Sequence, residues 1–125
     1  MIVGIDVGSE LLQAAVRRGF ADKKLPETSV SNTKEGVVRL VSWLRRHRLT
    51  SANAVVCLES CGVYGEVVCH ALAEDGFRLA VEPPLKVKRA LHRHRHKNDA
   101  LDARAIAEYG IRFYDDLHWW TPPPD

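Results

Sequence analysis

The sequence predicts an α/β fold, with a mixed β-sheet and helices on both of its faces. Two patterns indicate this class: strand-like apolar runs alternate with amphipathic segments of helical spacing, and the first two strand-like runs are joined by a short turn. With 125 residues, 46% of them hydrophobic, the chain is long and apolar enough to form one domain around its own core.

The first third of the chain is typical of a β-hairpin followed by a strand and a helix. Residues 2–7 and 11–16 are apolar runs on either side of a Gly-Ser-Glu turn, and residues 28–31 are a candidate third strand. Asn32 or Thr33 can cap the helix that follows, whose apolar positions recur every three to four residues. Gly4 and Gly8 either shape the hairpin or let another backbone or a phosphate approach closely.

The remainder alternates between strands and helices. Residues 54–58 form an unbroken apolar run, which is typical of a central strand buried on both faces of a parallel sheet. Residues 63–74 predict a helix capped by Gly76, residues 77–81 a further strand, and Pro83-Pro84 the start of another helix. After a loop at 92–96, residues 99–109 predict a last helix that ends at Gly110.

Four carboxylates predict a divalent-metal site. Asp6 interrupts the first apolar run, Glu59 ends the central strand, and Asp99 and Asp102 stand three residues apart in a helical stretch. Residues three apart share a helix face, so this pair can converge on one ion. Carboxylate oxygens suit Mg²⁺ or Mn²⁺ better than Zn²⁺, and two such ions can serve phosphodiester chemistry. Each acid alone could also be a solvated or hydrogen-bonded surface carboxylate.

A strongly basic segment runs directly into the aspartate pair. The whole chain has a net charge of only +2, so total charge does not by itself indicate nucleic acid. Between residues 86 and 97, however, there are three histidines, no acid and six cations that we predict to contact nucleic acid: Lys86, Lys88, Arg89, Arg93, Arg95 and Lys97. The alternative to nucleic-acid contact is that this segment forms only a solvated, charged surface.

Composition also excludes several classes of protein. The three cysteines fit neither a paired zinc motif nor a disulfide framework, so we expect reduced, mostly buried thiols. The first residues are strand-like rather than signal-like, and no apolar stretch approaches the roughly 20 residues of a membrane span. We therefore expect a cytoplasmic protein without a membrane partner.

Three short motifs are the most specific feature of the chain. In order, they are Gly4-Ile5-Asp6-Val7-Gly8-Ser9, Leu58-Glu59-Ser60-Cys61-Gly62-Val63-Tyr64 and Lys97-Asn98-Asp99-Ala100-Leu101-Asp102-Ala103. Their order and spacing resemble the RuvC-like N-terminal domain of the DEDD transposases of bacterial insertion sequences. These are relatives of the Piv DNA invertase, and some are bridge-RNA-guided recombinases. The resemblance covers nearly the whole chain.

This resemblance implies a ribonuclease-H-like (RuvC-like) fold in which Asp6, Glu59, Asp99 and Asp102 bind Mg²⁺, with Mn²⁺ as a possible substitute. It implies a catalytic domain at residues 1–118 and, at 119–125, the start of a linker to a C-terminal domain outside this chain. In the family that domain supplies the serine that attacks DNA, so neither Ser9 nor Ser60 is expected to be the nucleophile.

The resemblance further implies DNA and a guide RNA as partners, and dimers or tetramers of the full-length protein. The isolated domain would be inactive or weakly nucleolytic. Three other functions stay open at this point: a RuvC-type junction resolvase, a non-catalytic nucleic-acid-binding module, and a fragment of an actin-like ATPase or sugar kinase, whose first phosphate motif is similar to residues 6–9.

Overall fold

The computed structural model describes residues 1–19, 26–59, 62–91 and 102–123. It contains a sheet of six strands, which are β1 (Ile2–Val7), β2 (Leu11–Arg17), β3 (Glu27–Ser31), β4 (Val55–Glu59), β5 (Arg78–Glu82) and β6 (Trp119–Trp120). The α-helices are α1 (Lys34–Arg46), α2 (Glu66–Glu74), α3 (Pro84–Ala90) and α4 (Ala103–Arg112).

The sheet is mixed, with the strand order β3-β2-β1-β4-β5-β6. The predicted hairpin is present, because β1 and β2 pair antiparallel. The predicted central strand is also confirmed: β4 pairs in parallel with β1 on one side and with β5 on the other. The carboxyl ends of β1, β4 and β5 therefore meet at one edge of the sheet, where the candidate acids stand.

Helices cover both faces of the sheet, as the sequence predicts. On one face, α1 and α2 pack against apolar side chains of β1, β4 and β5, including Val3, Leu58 and Leu79. On the other face, α3 and α4 pack against Ile2, Cys57 and Ala80. Because side chains alternate along a strand, β1, β4 and β5 each contribute to both cores.

The predicted helix ends are partly confirmed. Thr33 caps α1, since its side chain accepts a hydrogen bond from the backbone N–H of Gly36 at 3.0 Å. The helix predicted from residue 63 begins at Glu66 after a 3₁₀ turn at Gly62–Gly65. The prediction that Gly110 ends the last helix is wrong: α4 continues to Arg112, and a Cβ at Gly110 would meet Ile2 at 2.8 Å. That glycine allows the helix to lie close to the sheet.

Two further observations concern the thiols and the chain end. Cys57 and Cys69 are buried thiols, as expected, while Cys61 lies outside the described residues. Trp119 and Trp120, which sequence analysis assigned to the start of a linker, pair with β5 as the edge strand β6. None of the helices in the described residues has the length and apolar character needed to cross a bilayer.

Candidate active site

Asp6 and Glu59 lie side by side at the carboxyl edge of the sheet. Ile5 of β1 is the register partner of Leu58 of β4, so the next residues on the two strands are neighbours. Both acids point to the face that α4 covers, since Gly4 and Cys57, two residues earlier on each strand, contact that helix or its core. Both are half-buried, and a hydrogen bond joins their side chains.

Gly4 determines how closely α4 approaches these acids. A Cβ at this position would overlap the backbone of Ala103 and Ala107, so only glycine lets the helix cross β1 at this height. Of the two interpretations of this glycine, the close approach of another backbone is the one observed. The first turn of α4 is thereby brought near Asp6.

Asp102 is the N-cap of α4 rather than a residue within the helix. Its backbone is extended (φ −88°, ψ 167°), and its Oδ1 accepts a hydrogen bond from the backbone N–H of Ala105 at 2.7 Å. The prediction that it stands inside a helical turn is therefore wrong. Asp99 lies outside the described residues, so its position relative to Asp102 stays a prediction.

Three carboxylates nevertheless interact electrostatically. Burial and the neighbouring charge of Asp6 raise the pKa of Glu59 to about 7, and the hydrogen bond to Asp6 adds to this shift. Burial also raises the pKa of Asp6, the hydrogen bond with Glu59 opposes this shift, and the charge of Asp102 adds to it. The hydrogen bond thus favours the ionised form of Asp6 and the neutral form of Glu59.

One cation of the basic segment reaches this group of acids. Lys88, on α3, lies near enough for its charge to lower the pKa of Glu59. Lys86 and Arg89 are on the same helix, whereas Arg93, Arg95 and Lys97 lie outside the described residues. The structure therefore brings together Asp6, Glu59, Asp102 and Lys88 of the predicted site.

Comparison with known proteins identifies the family. Residues 3–125 match the IS110-type DEDD transposase family, described as "Transposase". This chain belongs to the IS110-type DEDD transposases. A search of curated proteins finds no match.

The fold of this transposase domain is similar to that of Thermus thermophilus RuvC. The two share 21% sequence identity with a TM-score of 0.63, over 95% of this chain and 99% of the RuvC chain. A second structure, of T. thermophilus RuvC in complex with a Holliday junction substrate, matches with 20% identity and a TM-score of 0.63, over 95% of this chain and 98% of the other. The predicted ribonuclease-H-like, RuvC-like fold is therefore confirmed.

The transposase domain carries a further buried acid that sequence analysis missed. Glu82 ends β5 and is the register partner of Glu59, and it is fully buried. Tyr109 donates a hydrogen bond to its Oε1 at 3.2 Å, His118 Nδ1 lies 2.6 Å from its Oε2, and Lys86 Nζ lies 3.6 Å from Oε1. A signal was present, since Glu82 ends an apolar strand in the same way as Glu59 does.

The acids of the transposase domain do not lie in its large cleft. A cavity of about 590 Å³ opens at the opposite, amino-terminal edge of the parallel strands, where Arg18, Arg78 and Tyr114 are among its lining residues. None of the described residues that line this cavity is a carboxylate. Two smaller cavities, of about 240 and 270 Å³, are instead lined by Glu59 and by Asp102, respectively.

The carboxylate oxygens of the predicted ligands suit a hard divalent cation. Within the described ranges, however, no three His, Cys, Asp or Glu side chains lie close enough together to hold a metal ion. Asp6 and Glu59 are close enough to share a proton, and Asp102 adds negative charge. A cation in place of that proton would relieve the repulsion between the carboxylates. The fourth predicted ligand, Asp99, is outside the ranges in which ligand spacing can be measured.

Asp102 is an observed helix cap and a predicted metal ligand, and one pair of variants separates the two roles. Asp102→Asn should leave the stability of the domain nearly unchanged, because Asn caps helices as well as Asp does, but should weaken Mg²⁺ binding at least about tenfold. Asp102→Ala should weaken Mg²⁺ binding and also lower the free energy of unfolding, by about 1 kcal/mol. Thermal unfolding and calorimetric Mg²⁺ titration measure the two effects. If Asp102→Asn binds Mg²⁺ as the wild type does, Asp102 is a cap and not a ligand.

Proposed function

We propose that this chain is the metal-binding catalytic domain of a DNA transposase, in which Asp6, Glu59, Asp99 and Asp102 hold Mg²⁺ or Mn²⁺ for strand cleavage and transfer. Transposases as a class cut nucleic acid, and the family match covers residues 3–125. The observation that carries the proposal is the contact between Asp6 and Glu59, where burial and crowding of charge raise the pKa of Glu59 to about 7. Perturbed carboxylates of this kind are typical of functional sites.

The residues of the site would share the work as follows. A bound divalent cation supplies Lewis-acid stabilisation of the charge that develops on the phosphate oxygens. Glu59 gives up the proton that it shares with Asp6, so that both carboxylates can act as ligands. Asp102 keeps its Oδ1 on the backbone of Ala105, which fixes the direction of its second oxygen. Lys88 offsets part of the negative charge that an approaching phosphate would meet.

DNA is the proposed substrate, and the basic helix α3 is its proposed contact, with Arg93, Arg95 and Lys97 continuing that contact. T. thermophilus RuvC, which shares this fold, forms a complex with a Holliday junction substrate, and this supports DNA as the partner. Three further features belong to the same proposal: a serine nucleophile from a C-terminal domain joined through residues 119–125 to the domain at 1–118, a guide RNA, and a dimeric or tetrameric full-length protein.

A direct test is calorimetric titration of the 125-residue chain with Mg²⁺ and Mn²⁺ at pH 8. We expect the wild type to bind, and Asp6→Asn, Glu59→Gln and Asp99→Asn each to lose at least about tenfold in affinity. Glu74→Gln, which removes a carboxylate at the end of α2, is the matched control and should bind as the wild type does. Equal binding by all of these variants would refute the assignment of the ligands.

A junction-cleaving nuclease is the second candidate. The observation that favours it is the fold match with RuvC, which spans nearly the whole of both chains. Cleavage of a four-way DNA junction by the 125-residue chain alone, at a rate abolished by Asp6→Asn, would favour this candidate. Dependence of cleavage on the proposed serine-bearing domain would favour the transposase.

A further inference from the structure

The carboxyl edge of the sheet carries a fourth polar position beyond the proposed metal site. Asp6, Glu59 and Glu82 lie at the ends of three neighbouring strands, and His118 stands next to Val81 at the approach to β6. Adjacent strands are about 4.8 Å apart, so His118 lies two strands from Glu59 along the same edge. A strand of nucleic acid bound at the acids could reach it.

Glu82 connects the interior of the domain with two basic side chains on its surface. We call Glu82, Lys86 and His118 the edge clamp. Glu82 is fully buried, whereas the side chains of Lys86 and His118 are 40% and 67% exposed. With Nδ1 of His118 directed at Glu82 at 2.6 Å, the Nε2 side of the ring is left for the surface. Tyr109, from α4, fixes the other carboxylate oxygen.

Stability alone does not explain this arrangement. Burying a carboxylate is costly even when it is paired, and well-packed apolar replacements are often as stable or more stable. What the buried acid does achieve is to hold two exposed basic side chains in fixed positions before any ligand arrives. Preorganised groups lose less entropy on binding than mobile ones.

The position of the clamp indicates its ligand. An edge that carries three carboxylates repels a phosphate backbone unless cations stand beside it. We propose that His118 and Lys86, oriented by Glu82, bind a backbone phosphate of the nucleic acid next to the one held at the acids. Glu82 is then a positioning residue, and His118 a nucleic-acid contact that the basic segment at 86–97 does not include. This inference rests on the proposed function.

The test is binding of a short fluorescein-labelled DNA duplex to the 125-residue chain, measured by anisotropy over a series of KCl concentrations at pH 6. An imidazole that carries a proton on both ring nitrogens can donate to Glu82 and to a phosphate at the same time. The slope of log K against log salt counts the neutralised phosphates, about 0.9 for each. A purely structural contact would leave this slope unchanged.

We expect His118→Gln to weaken binding about threefold to tenfold at low salt and to reduce the slope by about 0.9. His70→Gln is the matched control and should change neither quantity, since His70 is exposed on α2 and packs against Trp120 from the opposite face of the sheet. Glu82→Gln keeps the size of the side chain but removes its charge, and should weaken binding as His118→Gln does, because Lys86 and His118 are then no longer held in position.

The outcomes separate this inference from the proposed function. If Lys88→Gln weakens DNA binding while His118→Gln keeps the wild-type slope, the clamp is not a phosphate site and only the further inference fails. If Glu82→Gln binds DNA with the wild-type affinity, Glu82 does not position the two basic side chains. If the wild-type chain fails to bind DNA at low salt, the proposed DNA interface and the clamp fail together.

Discussion

Replacing Asp6 with Asn should reduce the proposed DNA strand cleavage about 10³-fold, without unfolding the domain. The Asp6 side chain is hydrogen-bonded to Glu59 and interacts electrostatically with Asp102, so it interacts with both other proposed ligands among the described residues. Its raised pKa means that the folded protein disfavours the charged form. A neutral side chain of the same shape should therefore keep or raise the melting temperature at pH 8.

Two measurements on the Asp6→Asn variant distinguish a catalytic role from a structural one. Strand cleavage and transposition report the chemistry, and thermal unfolding of the 125-residue chain reports the fold. Asp115→Asn, at an exposed position outside the proposed site, is the control and should retain full activity. An Asp6→Asn protein that transposes at the wild-type rate would refute the catalytic role, whereas a loss of activity accompanied by a large fall in Tm would point to a structural role.

The fold could be predicted largely from local patterns. Strands β1, β2 and β4 follow from short apolar runs, and α1 follows from its periodicity and from the cap at Thr33. The edge strand β6 could not be predicted, because two tryptophans before a proline run carry no periodicity. Their pairing with Leu79 and Ala80 depends on contacts about 40 residues distant in sequence, which is a matter of tertiary structure.

The site could be predicted in part. Asp6 and Glu59 follow from strand ends in a parallel sheet, and their contact is a consequence of register. Asp102 was predicted to lie inside a helix but is the residue that caps it. The sequence around the first residue of α4 is rich in alanine and leucine, and helix propensity alone does not locate a cap. Glu82 has the same position at a strand end as Glu59, but its burial could not be predicted because its partners Tyr109 and His118 are 27 and 36 residues away.

The metal-free domain should lose stability as the pH rises from about 4.5 to about 7. Glu59 has an ordinary pKa of 4.5 and a pKa of about 7 in the folded state, so the folded state binds this proton more tightly than the unfolded chain does. The stabilisation is complete below pH 4.5 and disappears as the pH passes 7. After allowance for solvent screening of a half-buried group, it amounts to about 1 to 2 kcal/mol.

Thermal unfolding at pH 5 and pH 8 in EDTA measures this effect. Glu59→Gln should be more stable than the wild type at pH 8 by the same amount, corresponding to a rise in Tm of about 4 °C per kcal/mol, and should lose this part of the pH dependence. Glu74→Gln removes a carboxylate remote from the site and should keep the wild-type pH dependence. If the melting temperatures of Glu59→Gln and the wild type changed with pH in the same way, Glu59 would not be the group that takes up the proton.

Mg²⁺ should reverse this loss in the wild type, and this links the stability of the domain to its proposed chemistry. A cation that takes the place of the proton between Asp6 and Glu59 binds only the folded state. It should therefore raise the Tm at pH 8, and the rise should grow as the cation concentration exceeds its Kd. Glu59→Gln should be insensitive to the same addition, although it starts from the higher Tm. A variant that is more stable without metal and less responsive to it would indicate that the acids are kept at a cost in stability for the sake of the ion. If Mg²⁺ raises the Tm of both proteins equally, it binds elsewhere on the domain.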